Sequence, residues 1–491
     1  MMNSTVPEIR VRQFTDYPIH PNRDFVLYRM RVFRRLTWNF ALQRAMEWAR
    51  ELDRPLVVYE ELRLGVPWES VRRHRFILDG IQDHMLACKE RPVLYYPYLE
   101  TEAGSVDGLL QALCQRACIL IEEESPVLHT NRSLVKTDRS LLLRIETVDS
   151  NGLLPLRASD RDYPTAYSFR RFLQKELPAH LLQAPLADPL QDSGLAKAGP
   201  PIADILERWP ALRLDRPGEW DARLSSLPIN HQVTATVREG GSRAALRQLQ
   251  TFLDERLDRY GDDRNEPEKQ GTSELSSYLR HGHIATHQVF HALAERQDWS
   301  LQRLALKATG KRSGWWGMPA CGEAFLDELV TWRELGYNMA FHRPDYRDYD
   351  SLPEWSRISL DQHRDDPRPV LYSFEQFEQA QTHDPLWNAA QNQLRQEGLI
   401  HNYLRMLWGK KILEWTKSAR EAAEVMIELN NRYALDGCDP NSYSGIYWCL
   451  GRYDRAWGPE RPIFGKIRYM SSENTARKYP VRNYIKRYTG T

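Results

Sequence analysis

No stretch of this chain approaches the ~20 consecutive apolar residues that cross a bilayer. The opening MMNSTVPEIRVRQF lacks the apolar core of a secretion signal, so secretion is not expected and a cytoplasmic protein is, with no membrane partner. Cysteine is scarce: Cys88, Cys114, Cys118, Cys321, Cys438 and Cys449 are scattered without a CxxC pair. They read as buried thiols in a reducing compartment, and neither a disulfide framework nor a zinc site is expected. There is no GxGxxG, which argues against a Rossmann-type dinucleotide cradle. The three histidines of HGHIATH, His281, His283 and His287, have metal-like spacing, yet no metal is expected there. Bulk charge of one sign is missing too, since the net charge is +1, and the whole protein is no polycation.

What stands out instead is tryptophan, with 15 residues, many in the second half beside polar neighbours. A core needs fewer, which leaves some with a chemical use. The charge distribution is also uneven. From Arg461 onward the chain carries Lys466, Arg468, Arg477, Lys478, Arg482, Lys486 and Arg487 against Glu473 alone. Such a block neutralises phosphates, or simply forms a solvated basic tail.

At 491 residues the chain is too long for one ordinary core. Apolar runs at 25–30, 55–62, 92–99 and 117–123 read as strands, separated by helical patterns through Trp38, Phe40, Ala41 and Ala45 and over 74–86 and 106–118. That alternation predicts a parallel α/β sheet. Residues from about 184 to 230 are rich in Pro, Asp and Gly and read as a linker. Beyond them helical periodicity dominates. The expected layout is a Rossmann-like α/β domain over 1–183, a linker over 184–230 and an all-α domain over 231–491.

Three motif groups lie in the second half. In YGDDRNEPEKQGTSELSSYLRHG (260–282), Gly271 permits a close backbone approach, and Thr272, Ser273 and Ser276 place hydroxyls where a helix begins. Free N–H groups and the helix dipole there suit a diphosphate, although the same residues would also serve as an N-cap. Trp408 and Trp415 lie two helical turns apart, about 10.5 Å along the axis. That is an awkward single hop unless another ring stands between them, and aromatics at this spacing also pack cores. In AFLDELVTWRELGYN, Glu328 and Trp332 are expected one turn apart on one helix face.

Read together, these residues resemble the class II cyclobutane pyrimidine dimer photolyases of the photolyase/cryptochrome family, over nearly the whole chain. The motif Tyr-x-x-x-Arg-Asn-x-Pro followed by Thr-Ser-x-Leu-Ser-x-Tyr-Leu carries the match. So do GLIHNYLRMLWGKKILEW, IELNNRYALDGCDPN and THDPLWNAAQ. The resemblance implies the photolyase fold, an α/β domain followed by a helical FAD-binding domain. It implies FAD held by Tyr260, Thr272, Ser273, Leu275 and Ser276, an Arg405–Asp436 pair over the flavin ring, and Asn430 at its N5 edge. An Arg there would stabilise the reduced anion FADH⁻, although a structural buried ion pair would also want Arg and Asp. Trp408, Trp387, Trp415 and Tyr372 match an electron-transfer chain that photoreduces the flavin. Glu328, Trp332, Asn265, Met406 and Trp448 match the lesion pocket. Arg264, Arg455 and Arg468 match residues that grip DNA or fill the vacated duplex.

The implied activity is blue-light repair of pyrimidine dimers by a monomer, with DNA carrying such dimers as partner. A light-sensing flavoprotein without repair activity is the alternative. The first half matches more loosely. Arg29 stands where the family usually has Trp, and NSYSGIY at 441–447 replaces a more Gly-rich stretch. These departures bear on substrate choice and on whether a deazaflavin-type antenna chromophore accompanies FAD.

Overall fold

The computed structural model of the chain describes residues 4–126, 142–191, 193–195, 202–213 and 219–490. It divides into two compact units, neither contiguous in sequence. One is Met1–Ser159, Glu176–Leu249 and Leu275–Glu295; the other is Asp160–Lys175, Gln250–Glu274 and Arg296–Thr491.

The first unit is built on a six-stranded sheet of β1 (Val11–Gln13), β2 (Phe25–Met30), β3 (Leu56–Leu62), β4 (Leu94–Leu99), β5 (Ala117–Glu124) and β6 (Ile145–Asp149), in the order β1-β6-β5-β2-β3-β4. All neighbouring pairs are parallel except β1 with β6. Helices α1 (Phe40–Glu51), α2 (Val71–Cys88) and α3 (Leu109–Arg116) follow β2, β3 and β4. The apolar run of β2, broken only by Arg29, follows from burial on both faces. Val26, Tyr28 and Met30 enter one core cluster, and Phe25 and Leu27 the other. The pattern reading finds β2 to β5 but misses β1 and β6. β1 has three residues, two of them exposed, and β6 (IETVD) buries its polar groups with its apolar ones. Within the expected linker, residues 192, 196–201 and 214–218 lie outside the described residues. The rest includes short helices at Ala203–Arg208 and Glu219–Ser225. Ile205, Trp209, Trp220 and Leu224 are buried in the cores of the first unit, so apolar anchors override the Pro and Gly punctuation.

Arg29 interrupts the apolar run of β2 as a buried residue, with ion pairs to Glu61 and, at 3.0 Å, to Glu122. Both carboxylates are needed, because removing one partner of a buried pair typically costs ~3–5 kcal/mol. The strand order reverses between β5 and β2, where open α/β sheets hold ligands beyond the carboxyl ends of their strands. Glu123 lies at this end of β5. Its carboxylate accepts from the Tyr28 hydroxyl and from the backbone N–H groups of Arg31, Val32 and Phe33.

The second unit is helical. Its central helix, Asn402–Trp415, is buried on nearly every side. Three neighbours have clear start signals. Asp384 accepts from Leu386 N and Trp387 N and is followed by Pro385, opening the Pro385–Glu397 helix. Ser418 caps Ala419–Tyr433, and Asp439 followed by Pro440 caps Pro440–Trp448. A carboxylate or hydroxyl at N-cap satisfies otherwise unpaired helix N–H groups, and Pro at N1 needs no N–H. Gly409 lets the central helix approach the others. A Cβ there would lie 2.6 Å from Cys449 Sγ and 2.8 Å from Met426 Sδ. Among the described residues no helix is long and apolar enough to cross a membrane.

Candidate active site

The aromatic residues singled out in the sequence converge in the second unit. Trp387, on the Pro385–Glu397 helix, fills the gap between Trp408 and Trp415. Its ring lies 6.5 Å from that of Trp408 and parallel to it within 3°, and 5.9 Å from that of Trp415. Tyr372 continues the series at 5.5 Å from Trp415. The four rings thus form an unbroken file of close contacts. All three Trp side chains are buried, and two have their indole N–H groups fixed. Trp387 Nε1 donates to Trp408 O at 3.1 Å, and Trp408 Nε1 to the Gln391 side chain at 2.9 Å. Gln391 was missed in the sequence, although its place in THDPLWNAAQ, one helical turn beyond Trp387, offers a signal.

Arg405 and Asp436 meet as expected, with Arg405 Nη2 at 3.1 and 3.2 Å from the two carboxylate oxygens. The buried Nε of Arg405 has no hydrogen-bond partner. An orphaned guanidinium N–H in such a place fits a bound group with acceptor atoms, as the flavin ring has. Asn430 is buried nearby in sequence and donates to Asn431 at 3.2 Å.

In the phosphate-loop segment, Tyr260 is buried, and Thr272, Ser273 and Asn265 are partly exposed. Gly271 is required, because a Cβ there would lie 2.6 Å from that of Asp263. Thr272 O accepts from Arg256 Nη1 at 3.2 Å, which pins the loop backbone. Leu275 and Ser276 belong to the first unit. The N-cap residue of the Ser276–His281 helix there is Leu275, which offers no side-chain cap. Leu275 is buried and Ser276 exposed. His281 and His283 pack their rings on Phe76, and His283 Nδ1 accepts from Gly241 N at 2.9 Å. Burial pushes the His283 imidazole down to about 3. Among the described residues no group of His, Cys, Asp or Glu could hold a metal ion.

Glu328 and Trp332 lie on a π-helical segment, Asp327–Trp332. They are therefore within a single wide turn rather than one α-turn apart, a local change that a 3.6-residue period does not reveal. π-Helical turns recur at functional sites. Both residues stay partly exposed while Asp327 and Leu329–Thr331 are buried. Glu328 is ion-paired with Arg264, whose guanidinium also sits 5.6 Å from the Tyr260 ring centroid. Burial pushes the Glu328 carboxyl above its usual range, with Arg264 opposing the shift.

Met406, Trp448, Arg468 and Arg455 also come together. Cys449 Sγ points to Met406 O at 3.8 Å. Arg468 sits 5.6 Å from the Trp448 ring and 4.1 Å from that of Trp457, and Arg455 covers Trp457 at 4.6 Å. Trp457 was not singled out in the sequence; its position two residues after Arg455 gave the only hint. Lys410 was missed as well. It is fully buried, donates to Cys449 O at 2.6 Å and lies 5.0 Å from the Trp448 ring. Burial pushes its ammonium down to about 8. Unfolding between pH 8 and 10 therefore takes up a proton, and stability should rise with pH across that window, by up to about 3 kcal/mol. Thermal unfolding followed by circular dichroism at pH 7.5, 8.5 and 9.5 should show the rise relative to Lys410→Met. Parallel curves for the two proteins would refute it.

The family model for the FAD binding domain of DNA photolyase matches residues 325–432, which include Glu328, Trp332, the three-Trp file, Arg405 and Asn430. The deoxyribodipyrimidine photo-lyase of Methanothermobacter thermautotrophicus is 32% identical over 95% of this chain and 95% of its own length. That of Arabidopsis thaliana is 31% identical, covering 94% and 88%. That of Potorous tridactylus is 33% identical, covering 84% and 72%. The crystal structure of a bacterial class III photolyase from Agrobacterium tumefaciens has the same fold, with a TM-score of 0.67 at 19% identity over 96% of this chain and 87% of that one. With full-length relatives above 30% identity and a matching flavin-domain model, the chain belongs to the DNA photolyase family.

Proposed function

We propose that this protein is a class II photolyase that splits cyclobutane pyrimidine dimers in DNA under blue light. The observation that supports this best is the π-helical turn carrying Glu328 and Trp332, with a carboxyl that burial biases toward its protonated form. The functional domains would be the antenna-type α/β domain (1–183), the linker (184–230) and the FAD-binding catalytic domain (231–491).

In this reading Tyr260, Thr272, Ser273, Leu275 and Ser276 hold FAD, with Arg405, Asp436 and Asn430 at its ring. Bound there in reduced form, FAD would supply the photoexcited electron that opens the dimer and take it back afterwards. Trp408, Trp387, Trp415 and Tyr372 pass electrons toward the cofactor to reduce it, a preparatory reaction separate from repair. Arg264, Arg455 and Arg468 hold DNA and occupy space left by the extruded lesion. Extrusion costs a few kcal/mol, less at a distorted dimer than in intact duplex. Trp332, Met406 and Trp448 pack against the two pyrimidines, and Asn265 borders them. Glu328 in its protonated form donates to a pyrimidine carbonyl, where negative charge develops. The reading takes FAD as the catalytic light absorber and a deazaflavin-type antenna as an additional chromophore, which the absorption spectrum of the purified protein would reveal. A monomer acting within the cell's DNA-containing compartment completes it.

The test is direct. The purified protein should be yellow with one FAD per chain. After reduction it should restore intact thymines in a dimer-containing oligonucleotide under blue light and do nothing in the dark. A flavin-loaded, reduced protein that binds this oligonucleotide no better than undamaged DNA and repairs nothing would replace the enzyme reading with that of a light sensor.

A further inference from the structure

We infer that His383 is the proton acceptor that allows Tyr372 to act as the terminal electron donor of the Trp file; this rests on the electron-transfer reading above. Tyr372 Oη lies 2.6 Å from His383 Nδ1 and 2.9 Å from the His383 backbone nitrogen. The backbone N–H can only donate, so it takes an acceptor position on Oη. The phenolic hydrogen is then placed for Nδ1, which accepts in the Nε2–H tautomer. Both rings lie against the last tryptophan. Tyr372 is 5.5 Å and His383 5.1 Å from Trp415, and Tyr372 N donates to Trp415 O at 3.2 Å. His383 is exposed, so a proton it receives can leave to solvent through Nε2.

The chemistry requires such a partner. A phenol that loses an electron becomes a strong acid, and oxidation without proton loss leaves a high-energy radical cation. The balanced step starts from Trp415 lacking one electron, the oxidant at the head of the file being photoexcited oxidised flavin. One electron passes from Tyr372 to Trp415, and the Tyr372 O–H bond breaks with its proton going to Nδ1. Neutral Trp415, a neutral tyrosyl radical and an imidazolium result. The backbone N–H of His383 continues to support Oη. The new positive charge beside Trp415 disfavours return of the electron hole to that ring. A thiol in solution then returns a hydrogen atom to the tyrosyl. A positioned base of this kind is worth roughly a hundredfold or more in rate. His383 thus adds a proton-accepting role to a chain otherwise described by its aromatic rings.

The experiment is flash photolysis with electron paramagnetic resonance on the flavin-loaded full chain, oxidised and without added thiol. Wild type should yield a tyrosyl signal that Tyr372→Phe removes. In His383→Leu the tyrosyl should form roughly a hundredfold more slowly while a tryptophan radical persists. His383→Asn keeps an acceptor oxygen but is no base, and should match His383→Leu. Imidazole added to His383→Gly should restore the tyrosyl. Flavin content should be unchanged in all of them. Tyrosyl formation at the wild-type rate in His383→Leu or His383→Asn would overturn the inference while leaving the electron file intact. A wild-type tryptophan radical with no tyrosyl would remove Tyr372 as a donor and the inference with it. Absence of both signals in wild type would overturn the electron-transfer reading as a whole.

Discussion

Replacing Trp408 with Phe is expected to abolish light-driven reduction of the bound flavin or slow it at least a hundredfold, while repair by chemically reduced protein persists. Phe keeps the bulk of the ring but is a far poorer electron donor, and Trp387 is left without its parallel partner at 6.5 Å. The change also has a structural cost. Gln391 is fully buried, and its side-chain oxygen accepts from the Trp408 indole, so Trp408→Phe strands that oxygen. An unsatisfied buried acceptor costs about 1–3 kcal/mol. The expected result is therefore a somewhat less stable protein that still carries flavin. Absorbance of the flavin during blue illumination with a reductant is the measurement. Wild-type photoreduction in this variant would disprove the file. Trp415→Phe should impair less cleanly, because Tyr372 and Trp387 both stay in place on either side of it.

Glu328→Ala should lower dimer repair by roughly a hundredfold, since a hydrogen-bond donor aimed at developing charge is typically worth ~3 kcal/mol. Glu328→Gln keeps the shape and one donor and should lose less. The pH dependence has a definite sign. Burial raises the carboxyl, so its donor form is present below the raised pKa and is lost as pH climbs through it. Wild-type repair should fall with rising pH in that range, and Glu328→Gln should lack the fall. The charged and titratable groups facing the carboxyl are Arg264, Asp327, Arg312 and Tyr260, and Asp327 is itself paired with Arg170 at 2.8 Å. Neither substitution should change flavin content or photoreduction. Repair in a dimer-containing oligonucleotide, scored at several pH values, is the measurement. Equal rates in wild type and Glu328→Ala would remove Glu328 from the chemistry.

Much of the first unit was legible because β2 to β5 have strong apolar runs and helices between them. β1 and β6 were hidden because a three-residue edge strand and a strand with buried acids carry no such signal. The helices at Ala203–Arg208 and Glu219–Ser225 were hidden by Pro and Gly, while single anchors such as Trp209 and Trp220 held them to the core. In the second unit the spacing of Trp408 and Trp415 called for an intervening ring, and the THDPLWNAAQ motif named Trp387 for the chain, but its place between the other two is visible only in the packing. Contacts made by residues of common type, such as His383 and Lys410, left no trace in periodicity. Their roles come from atoms that meet across helices. The π-helical turn is likewise invisible to a reading that assumes one helical period throughout.

If the proposed function holds, the Arg264–Glu328 ion pair bears on how damaged and undamaged DNA would be told apart. In the free protein Arg264 is held by a carboxylate, and that carboxylate cannot at the same time donate a hydrogen bond. A nucleobase entering beside Glu328 competes with Arg264 for it, and opening the pair has an energetic cost that every visitor meets. A dimer returns that cost through two carbonyls at a fixed separation and through easy extrusion from a duplex it has already distorted. An ordinary pair of thymines must break good stacking first and offers no rigid pair of acceptors. On that reading selectivity would arise before any light is absorbed, from a charge pair that the geometry of the lesion is suited to open.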